Sequence, residues 1–163
     1  MIQSTANWSR RCSSCSFESF PRVDPCIITL IKNQDNTKVL LGQNAKWTLP
    51  RFSTIAGYVD AGEVPERAIV REAREEVGAQ IEESSIKYIM SQFWPFPRSM
   101  MLGFSAVAKD DSISLIDKEM SDAKWFSREE LRGMLEPSED SPHVPGEETI
   151  AGQLIRGFMN KEF

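Results

Sequence analysis

Apolar positions in the first part of the chain predict three strands. Cys26–Ile31 is a β-favouring apolar run, and Val39–Leu41 is a second one. Turn-forming residues occupy positions 33–36 between them, which predicts a hairpin. A third strand is predicted over Phe52–Val59, and it leads into a turn at 60–63. The chain therefore enters its first helix from a β-structure.

The first predicted helix covers residues 65–77 and carries signals at both ends. Pro65 suits the first helical turn, and Glu66 adds negative charge where the helix dipole favours it. Gly78 is typical of a residue that ends a helix in the left-handed conformation.

The second half of the chain predicts three more strands. These cover Ile86–Gln92, Met100–Ala108 and Lys124–Phe126. Prolines alternate with aromatic residues over Phe93–Ser99, which predicts a stiff aromatic loop between the first two of these strands.

Two helices are predicted to complete the fold. Ser127 and Glu130 form a capping-box pattern at the start of a helix over Arg128–Met134. A second amphipathic helix is predicted over 149–159, and the acidic, proline-containing segment Glu136–Glu148 predicts a solvated loop. The order β-β-β-α-β-β-β-α-α indicates the α/β class, with a mixed sheet and helices on its faces.

Composition narrows the functional classes. The chain has 163 residues, 40% hydrophobic and 26% charged, which is typical of one globular domain. The net charge of −5 argues against binding nucleic acid through a broad basic surface. No apolar run approaches the ~20 residues of a membrane helix, so no membrane partner is expected. No secretory signal is visible, and three cysteines are an odd number, which predicts an intracellular, cytoplasmic protein.

Two cysteines near the N-terminus form a C-x-x-C pattern. Cys12 and Cys15 supply two of the four ligands that a structural zinc normally takes. Cys26 lies in a predicted strand and His143 is far away in sequence, so zinc binding by this chain alone is disfavoured. Two free thiols in an N-terminal tail over residues 1–20 are the alternative.

The predicted helix at 65–77 carries an acidic face. Glu72 lies about 40° from Glu76 and about 60° from Glu75 around the helix axis. Hard carboxylate oxygens grouped in this way suit Mg²⁺ or Mn²⁺ together with substrate phosphates. A solvated acidic surface is the alternative interpretation of these residues alone.

The surrounding residues favour the metal interpretation. The spacing G-x5-E-x7-R-E-A-x-E-E-x-G-A is formed by Gly57, Glu63, Arg71, Glu72, Glu75, Glu76 and Gly78, with Ala73 and Ala79. This pattern resembles the Nudix box at every fixed position. The resemblance implies the Nudix α/β/α sandwich, with a mixed β-sheet and a loop-helix-loop at the box. It also implies hydrolysis of a nucleoside diphosphate linked to another group.

The resemblance implies a role for each residue of the box. The expected ligands of Mg²⁺ or Mn²⁺ are the carbonyl of Ala56 and the carboxylates of Glu72 and Glu76. Glu75 either shares the metals or serves as the base. Arg71 is expected to orient Glu63 through a salt bridge rather than to contact substrate.

A second motif follows the helix. Residues 91–99 read S-Q-F-W-P-F-P-R-S, which resembles the S-Q-P-W-P-F-P-x-S array of the NADH diphosphatase branch of the family. The resemblance implies substrate contacts from Gln92, Phe93, Trp94, Pro95, Phe96, Pro97, Arg98 and Ser99. Phe93 departs from the array, where the branch has proline. A proline-stiffened connection with core aromatics is the interpretation that does not depend on the box.

Other stretches resemble the same branch. Residues 117–120, followed by Trp125–Phe126, resemble the region of the branch that supplies a metal-binding carboxylate far from the box in sequence. This resemblance implies that Glu119 is a metal ligand. Residues 149–155 resemble a C-terminal helix of the branch, which implies that Ala151 lines the substrate site. Residues 1–20 resemble the remnant of a zinc ribbon, joined to a Nudix hydrolase domain over 21–163. That branch dimerises through its N-terminal part, which leaves a homodimer of this chain an open question.

The expected activity is metal-dependent hydrolysis of NAD(H) to AMP and nicotinamide mononucleotide, with removal of an NAD cap from RNA 5′ ends as a further expectation. One alternative is hydrolysis of another dinucleotide or a nucleotide sugar, such as a diadenosine polyphosphate or ADP-ribose. The other is a catalytically impaired nucleotide-binding regulatory module.

Overall fold

A computed structural model describes residues 2–3, 8–116, 118–136 and 141–163. Asp117 and parts of the predicted tail and of the predicted acidic loop lie outside these residues. The elements are β1 (Ile2–Gln3), β2 (Arg10–Arg11), β3 (Glu18–Ser19), β4 (Asp24–Lys32), β5 (Lys38–Asn44), β6 (Ile55–Tyr58), α1 (Pro65–Val77), β7 (Ile81–Trp94), β8 (Ser99–Ala108), β9 (Met120–Ser127), α2 (Arg128–Arg132) and α3 (Ile150–Asn160).

Within the residues that the structure describes, the main sheet is mixed and has six strands. Its order is β7-β8-β4-β5-β9, and β6 pairs with β4. Strands β4 and β8 run parallel, whereas the other pairs are antiparallel. Strand β4 is therefore the central strand of the sheet. It pairs with β6 and with β8, whose first residue, Ser99, lies opposite Asp24.

The side chains of β4 alternate between two hydrophobic cores. Ile27 and Ile31 pack with the apolar face of α1, whereas Ile28 and Leu30 pack with α2 and α3. A strand buried on both faces is a continuous apolar run, as the sequence shows. Helices thus cover both faces of the sheet, which confirms the predicted α/β/α sandwich.

Helix α1 has the predicted bounds. Pro65 stands at its first turn, and Gly78 ends it at φ 69° in the left-handed region. The capping box of α2 is present too, since Ser127 accepts from Glu130 N and Glu130 accepts from Ser127 N. However, α2 has only five residues, shorter than predicted.

The predicted aromatic loop is mostly strand. Strand β7 begins at Ile81 and continues through Phe93 and Trp94, and β8 begins at Ser99. Only residues 95–98 form the turn between them, with a cis peptide bond between Phe96 and Pro97. The prediction of a loop over Phe93–Ser99 is wrong because ladder pairing with β8 extends the strand to Trp94.

Two further expectations need correction. The N-terminal segment is not without structure, because β1, β2 and β3 form a small antiparallel sheet. The acidic segment before α3 is not wholly solvated, since His143 and Val144 are buried. Residue Arg51 pairs with His143 in an isolated parallel bridge, which brings this segment against the chain before β6.

Among the described residues, none of the helices has both the length and the apolar character needed to cross a bilayer.

Candidate active site

Two acidic residues of α1, Glu72 and Glu76, lie where the helix faces β6. One face of the helix packs into the hydrophobic core, and its apolar side chains are Ala68, Ile69, Ala73 and Val77. Glu76 is also buried, at 5% exposure. The side chain of Glu72 is 14% exposed and lies one turn before it. Helix packing therefore directs two carboxylates towards β6.

A cavity of about 470 Å³ contains these two carboxylates, and we call it the carboxylate cavity. Its acidic residues are Asp60, Glu72, Glu76 and Glu119. Its other lining residues are Cys26, Ala56, Gly57, Tyr58, Trp94, Phe96, Ser99 and Met101. Box residues, the aromatic turn and the distal Glu119 thus meet in one place.

Gly57 provides the space that Glu72 occupies. A Cβ atom at position 57 would overlap the carboxyl group of Glu72. Residue 57 pairs with Ile27 of the central strand, so the backbone there cannot retreat without disturbing the sheet. The glycine of the box is therefore required by close packing of a carboxylate on the backbone.

Arg71 holds the box together. Its Nε and Nη2 donate to the two oxygens of Glu63 at 3.0 and 2.8 Å. Its Nη1 donates to Glu72 Oε1 at 2.7 Å and to Glu75 Oε2 at 3.3 Å. Nη2 also donates to the carbonyl of Tyr58 at 2.9 Å. The guanidinium group, whose planar fork suits a carboxylate, thus connects the turn before α1 to the helix.

These contacts shift the ionisation of the carboxyl groups in opposite directions. The hydrogen bonds from Arg71 hold the pKa of Glu63 below its ordinary value. Burial raises the pKa of Glu72, and the charges of Glu75 and Glu119 raise it further against the opposing effect of Arg71. A bound cation would favour the ionised form of Glu72.

Glu75 lies outside the carboxylate cavity. Its side chain is 56% exposed and lines a neighbouring cavity with Glu63 and Arg71. The sequence placed three glutamates on one face, but the packing of α1 puts Glu72 and Glu76 in the carboxylate cavity and Glu75 in the neighbouring one.

The donor atoms of the carboxylate cavity fit a hard divalent cation. Carboxylate oxygens from Glu72, Glu76 and Glu119 are of the kind that Mg²⁺ and Mn²⁺ prefer. Within the described part of the chain, no three or more His, Cys, Asp or Glu side chains form a group that could hold a metal ion, so Glu72, Glu76 and Glu119 are not arranged as a three-carboxylate site. Mg²⁺ does not need one, because it binds through one or two carboxylates plus water and substrate phosphates.

Cys26 is a cavity residue without nucleophilic character. Burial and the neighbouring charges of Glu72 and Glu76 raise the pKa of its thiol to about 12. The raised pKa favours the protonated thiol at neutral pH, which is the less nucleophilic form.

A second cavity, of about 180 Å³, adjoins the carboxylate cavity, and we call it the aromatic cavity. Trp94 and Met101 line both cavities. The remaining residues of the aromatic cavity are Ile28, Trp47, Arg51, Ser53, Gln92, Pro145, Thr149, Ile150 and Ala151. Ala151 lies on the wall of this cavity, beside the box.

The strand alternation of β7 separates the aromatic residues of the array. Gln92 and Trp94 line the aromatic cavity, whereas Phe93 lies between them in sequence and lines neither cavity. Phe93 is 54% exposed. Successive side chains of a strand point to opposite faces, which accounts for the difference.

The rest of the array is also divided. Phe96 and Ser99 line the carboxylate cavity, and Ser99 Oγ lies 3.2 Å from the hydroxyl of Tyr58. Arg98 forms an ion pair with Asp24 at 3.0 Å. Pro95, Pro97 and Arg98 are not among the lining residues of either cavity, so only part of the predicted substrate set lies together.

Gln92 fastens the start of α3 to β7. Its Nε2 donates to the carbonyl of Glu148 at 2.8 Å, and its Oε1 accepts from the backbone of Ile150 at 2.8 Å. Both ends of the amide are used, and Ala151 is the next residue along. The structure therefore gives Gln92 a role in positioning the wall of the aromatic cavity.

Cys12 and Cys15 lie in the turn between β2 and β3, and both are free thiols. In the described ranges, no third His, Cys, Asp or Glu joins them in a metal-binding group. A hydrogen bond with Ser14 lowers the pKa of Cys12 to about 6.

Several cavity residues were not predicted from the sequence. Tyr58 follows the box glycine directly, a position that could have suggested it. Trp47, Arg51 and His143 lie in segments without a motif, and only the tertiary fold brings them near the site.

A family model for the NUDIX domain matches residues 22–145. The chain belongs to the Nudix family. Nudix enzymes use divalent cations such as Mg²⁺ or Mn²⁺, which agrees with the oxygen donors of the carboxylate cavity.

Two relatives are similar over nearly the whole chain. The NAD-capped RNA hydrolase NudC of Mycobacterium tuberculosis (strain H37Ra) is 39% identical over 160 residues, which are 94% of this chain and 50% of that protein. The NAD-capped RNA hydrolase NudC of Pseudomonas aeruginosa (strain LESB58) is 39% identical over 149 residues, 91% of this chain and 49% of that protein. The chain thus spans about half the length of the curated relatives it matches.

Solved structures share the fold at low sequence identity. The NUDIX domain of Shewanella oneidensis NrtR, solved with ADP ribose, has a TM-score of 0.66 at 17% identity, covering 88% of this chain and 91% of that one. A MutT structure from a study of Aliivibrio salmonicida and Vibrio cholerae has a TM-score of 0.63 at 16% identity, covering 86% of this chain and 99% of that one. These likenesses support the Nudix sandwich.

The packing of Glu72 on Gly57 yields a testable prediction. We expect Gly57→Ala to displace the Glu72 carboxylate and to weaken binding of Mn²⁺ by about 10-fold or more, as loss of an oriented metal ligand does. Gly133→Ala is the matched control, because Gly133 is at φ −70° and an added methyl there meets only an ordinary contact. Titration calorimetry with Mn²⁺ measures the effect, and equal affinities for the two variants would refute this role of Gly57.

Proposed function

We propose that this Nudix domain hydrolyses the diphosphate bond of NAD(H), releasing AMP and nicotinamide mononucleotide, and that the same site removes an NAD cap from RNA 5′ ends. The relatives named NAD-capped RNA hydrolase support this substrate class. The array at 91–99 supports it independently, since its tryptophan lies inside the site.

The observation that carries the proposal is the shared wall of the two cavities. Trp94 and Met101 line both the carboxylate cavity and the aromatic cavity. A dinucleotide consists of a polyanionic diphosphate with a flat base on either side. The diphosphate fits the cavity that holds Glu72 and Glu76, and one base fits the mostly apolar cavity beside it.

The metal assignment follows the donor atoms. Glu72, Glu76 and Glu119, with the carbonyl of Ala56, would hold Mg²⁺ or Mn²⁺. Such a cation, when bound, neutralises the diphosphate and lowers the pKa of a coordinated water molecule. The closed packing of Glu72 on Gly57 keeps that carboxylate in one orientation before substrate arrives.

The residues around the cation positions have separate tasks. Arg71 orients Glu63 and Glu72 and does not line the carboxylate cavity, so it acts as a positioning residue. Glu75 is the more exposed acid in contact with Arg71, and its task is either to share the metals or to accept a proton. Ser99 and Tyr58 place hydroxyl groups beside the diphosphate position.

One assay separates this proposal from its alternatives. We expect Mg²⁺- or Mn²⁺-dependent release of AMP from NADH by the purified chain, with slower release from ADP-ribose and diadenosine substrates. Faster turnover of ADP-ribose would assign the site to that substrate instead. Binding of NADH without any turnover would support a regulatory module.

Glu76 provides the first mutational test of the proposal. We expect Glu76→Gln to lower kcat for NADH by ~10²-fold or more, because removal of a charged group that stabilises the transition state has effects of this size. The similar size of glutamine should leave the melting temperature near that of the wild type. Near wild-type turnover at saturating Mg²⁺ would show that Glu76 is not a metal ligand.

Trp94 and Phe93 form a matched pair for the second test. Base–aromatic stacking contributes ~1–3 kcal/mol in nucleic-acid binding, so Trp94→Ala should lower kcat/KM for NADH by roughly 5- to 150-fold. Phe93→Ala removes a neighbouring aromatic ring on the opposite face of β7 and should change kcat/KM less than 3-fold. Equal losses in the two variants would contradict a stacking role for Trp94.

A further inference from the structure

A third cavity, of about 270 Å³, adjoins the aromatic cavity. Its lining residues are Lys46, Trp47, Thr48, Leu49, Arg51 and His143, and we call it the cationic cavity. Trp47 and Arg51 belong to both the aromatic and the cationic cavity. The side chains of Trp47 and Arg51 therefore separate a ligand in the aromatic cavity from the cationic cavity.

The positive charges of the cationic cavity are available to a ligand. The guanidinium carbon of Arg51 lies 4.2 Å from the ring centroid of Trp47, and this contact holds the group beside the cavity. Among the described residues, neither Lys46 nor Arg51 forms an ion pair. Arg71 and Arg98, in contrast, are both neutralised by carboxylates.

His143 provides a second, independent observation at this cavity. Its side chain is only 6% exposed, yet its Nδ1 is buried and has no hydrogen-bond partner within the described part of the chain. A buried polar atom without a partner costs free energy that a bound group can recover. The residue is fixed in place, because His143 N donates to Pro50 O at 3.0 Å and Phe52 N donates to His143 O at 2.9 Å.

The segment that carries these side chains is also anchored. Lys46 N donates to Asn44 Oδ1 at 2.9 Å, and Trp47 N donates to Asn44 O at 3.0 Å. Ala45 N donates to the carbonyl of Glu119 at 2.7 Å, which connects the segment to the carboxylate cavity. The cationic cavity is thus organised before a ligand binds.

We propose that the cationic cavity binds a phosphate group attached to the ribose of the nucleoside that occupies the aromatic cavity. Lys46 and Arg51 supply the positive charge, the hydroxyl of Thr48 supplies a further donor, and His143 lines the cavity beside them. Two substrates carry such a group on the adenosine ribose: NADPH has a 2′-phosphate there, and NAD-capped RNA has a 3′-phosphodiester. The proposal therefore takes adenosine as the nucleoside in the aromatic cavity. The proposal rests on the proposed function, since it takes NAD(H) as the core substrate.

The test compares substrates with and without this phosphate. Lys46→Ala is the variant of choice, because Lys46 is exposed and lines neither the carboxylate nor the aromatic cavity. Lys109→Ala is the control, since it removes the same charge from an exposed site in a different cavity. Equilibrium binding of NADH, NADPH and a short NAD-capped RNA is measured by calorimetry with Mn²⁺ on a Glu76→Gln background, in which turnover is slowed and the cation still neutralises the diphosphate.

We expect Lys46→Ala to weaken binding of a phosphate-bearing ligand by about 10-fold, as loss of a charged hydrogen-bond donor does, and to change NADH binding less than 2-fold. For the capped RNA, the slope of log affinity against log salt should become shallower by ~0.7, the value for one lost phosphate contact on a single strand. A loss for NADPH alone assigns the cavity to the 2′-phosphate, and a loss for capped RNA alone assigns it to the phosphodiester.

Equal effects of Lys46→Ala and Lys109→Ala on all three ligands would overturn the phosphate site. Separate turnover assays with NADH distinguish failure of the phosphate site from failure of the proposed hydrolase activity. If the wild type hydrolyses NADH but Lys46→Ala shows no selective binding loss, only the phosphate site fails. If NADH is not hydrolysed yet the selective loss is seen, the phosphate site stands and the hydrolase proposal fails.

Discussion

The carboxyl group of Glu72 packs directly on the backbone of Gly57, where any side chain would collide with it. The rest of the site depends on this contact. Burial disfavours the ionised form of Glu72, as do the charges of Glu75 and Glu119. Arg71 offsets part of this cost with a hydrogen bond of 2.7 Å and fixes Glu63 with two more. The arrangement concentrates negative charge at a place where a cation lowers the electrostatic energy.

The central strand places the other parts around this contact. Strand β4 pairs with β6, which carries Gly57, and with β8, whose first residues follow the aromatic turn. The hairpin of β7 and β8 therefore brings Trp94 beside the box although about twenty residues separate them in sequence. Gln92, on the same strand face as Trp94, fastens α3 and closes the aromatic cavity.

Local signals explain what the sequence predicted well. Pro65 and Gly78 define the box helix because their preferred backbone angles suit its two ends, and both signals are independent of the rest of the fold. The spacing of the box glutamates likewise predicts which helix carries the acids. Whether Glu75 shares a cavity with Glu72 depends on how α1 packs and on where Arg71 extends, and no spacing rule contains that information.

Features that depend on tertiary contacts were missed. The prolines of the aromatic array predicted a loop from Phe93 onwards, but pairing with β8 keeps Trp94 in the strand and sets which ring faces the site. His143 lies in an acidic, proline-containing segment that resembles a solvated loop. Its burial follows from the bridge to Arg51, a contact between residues far apart in the chain.

The central claim is that one dinucleotide spans the carboxylate and aromatic cavities across Trp94. A crystal structure of the Glu76→Gln variant with Mn²⁺ and NADH tests this most directly. The account predicts the diphosphate beside Glu72 and Glu119, and one base in the aromatic cavity in contact with Trp94. A complex with both bases outside the aromatic cavity, or with the diphosphate away from Glu72, would contradict it.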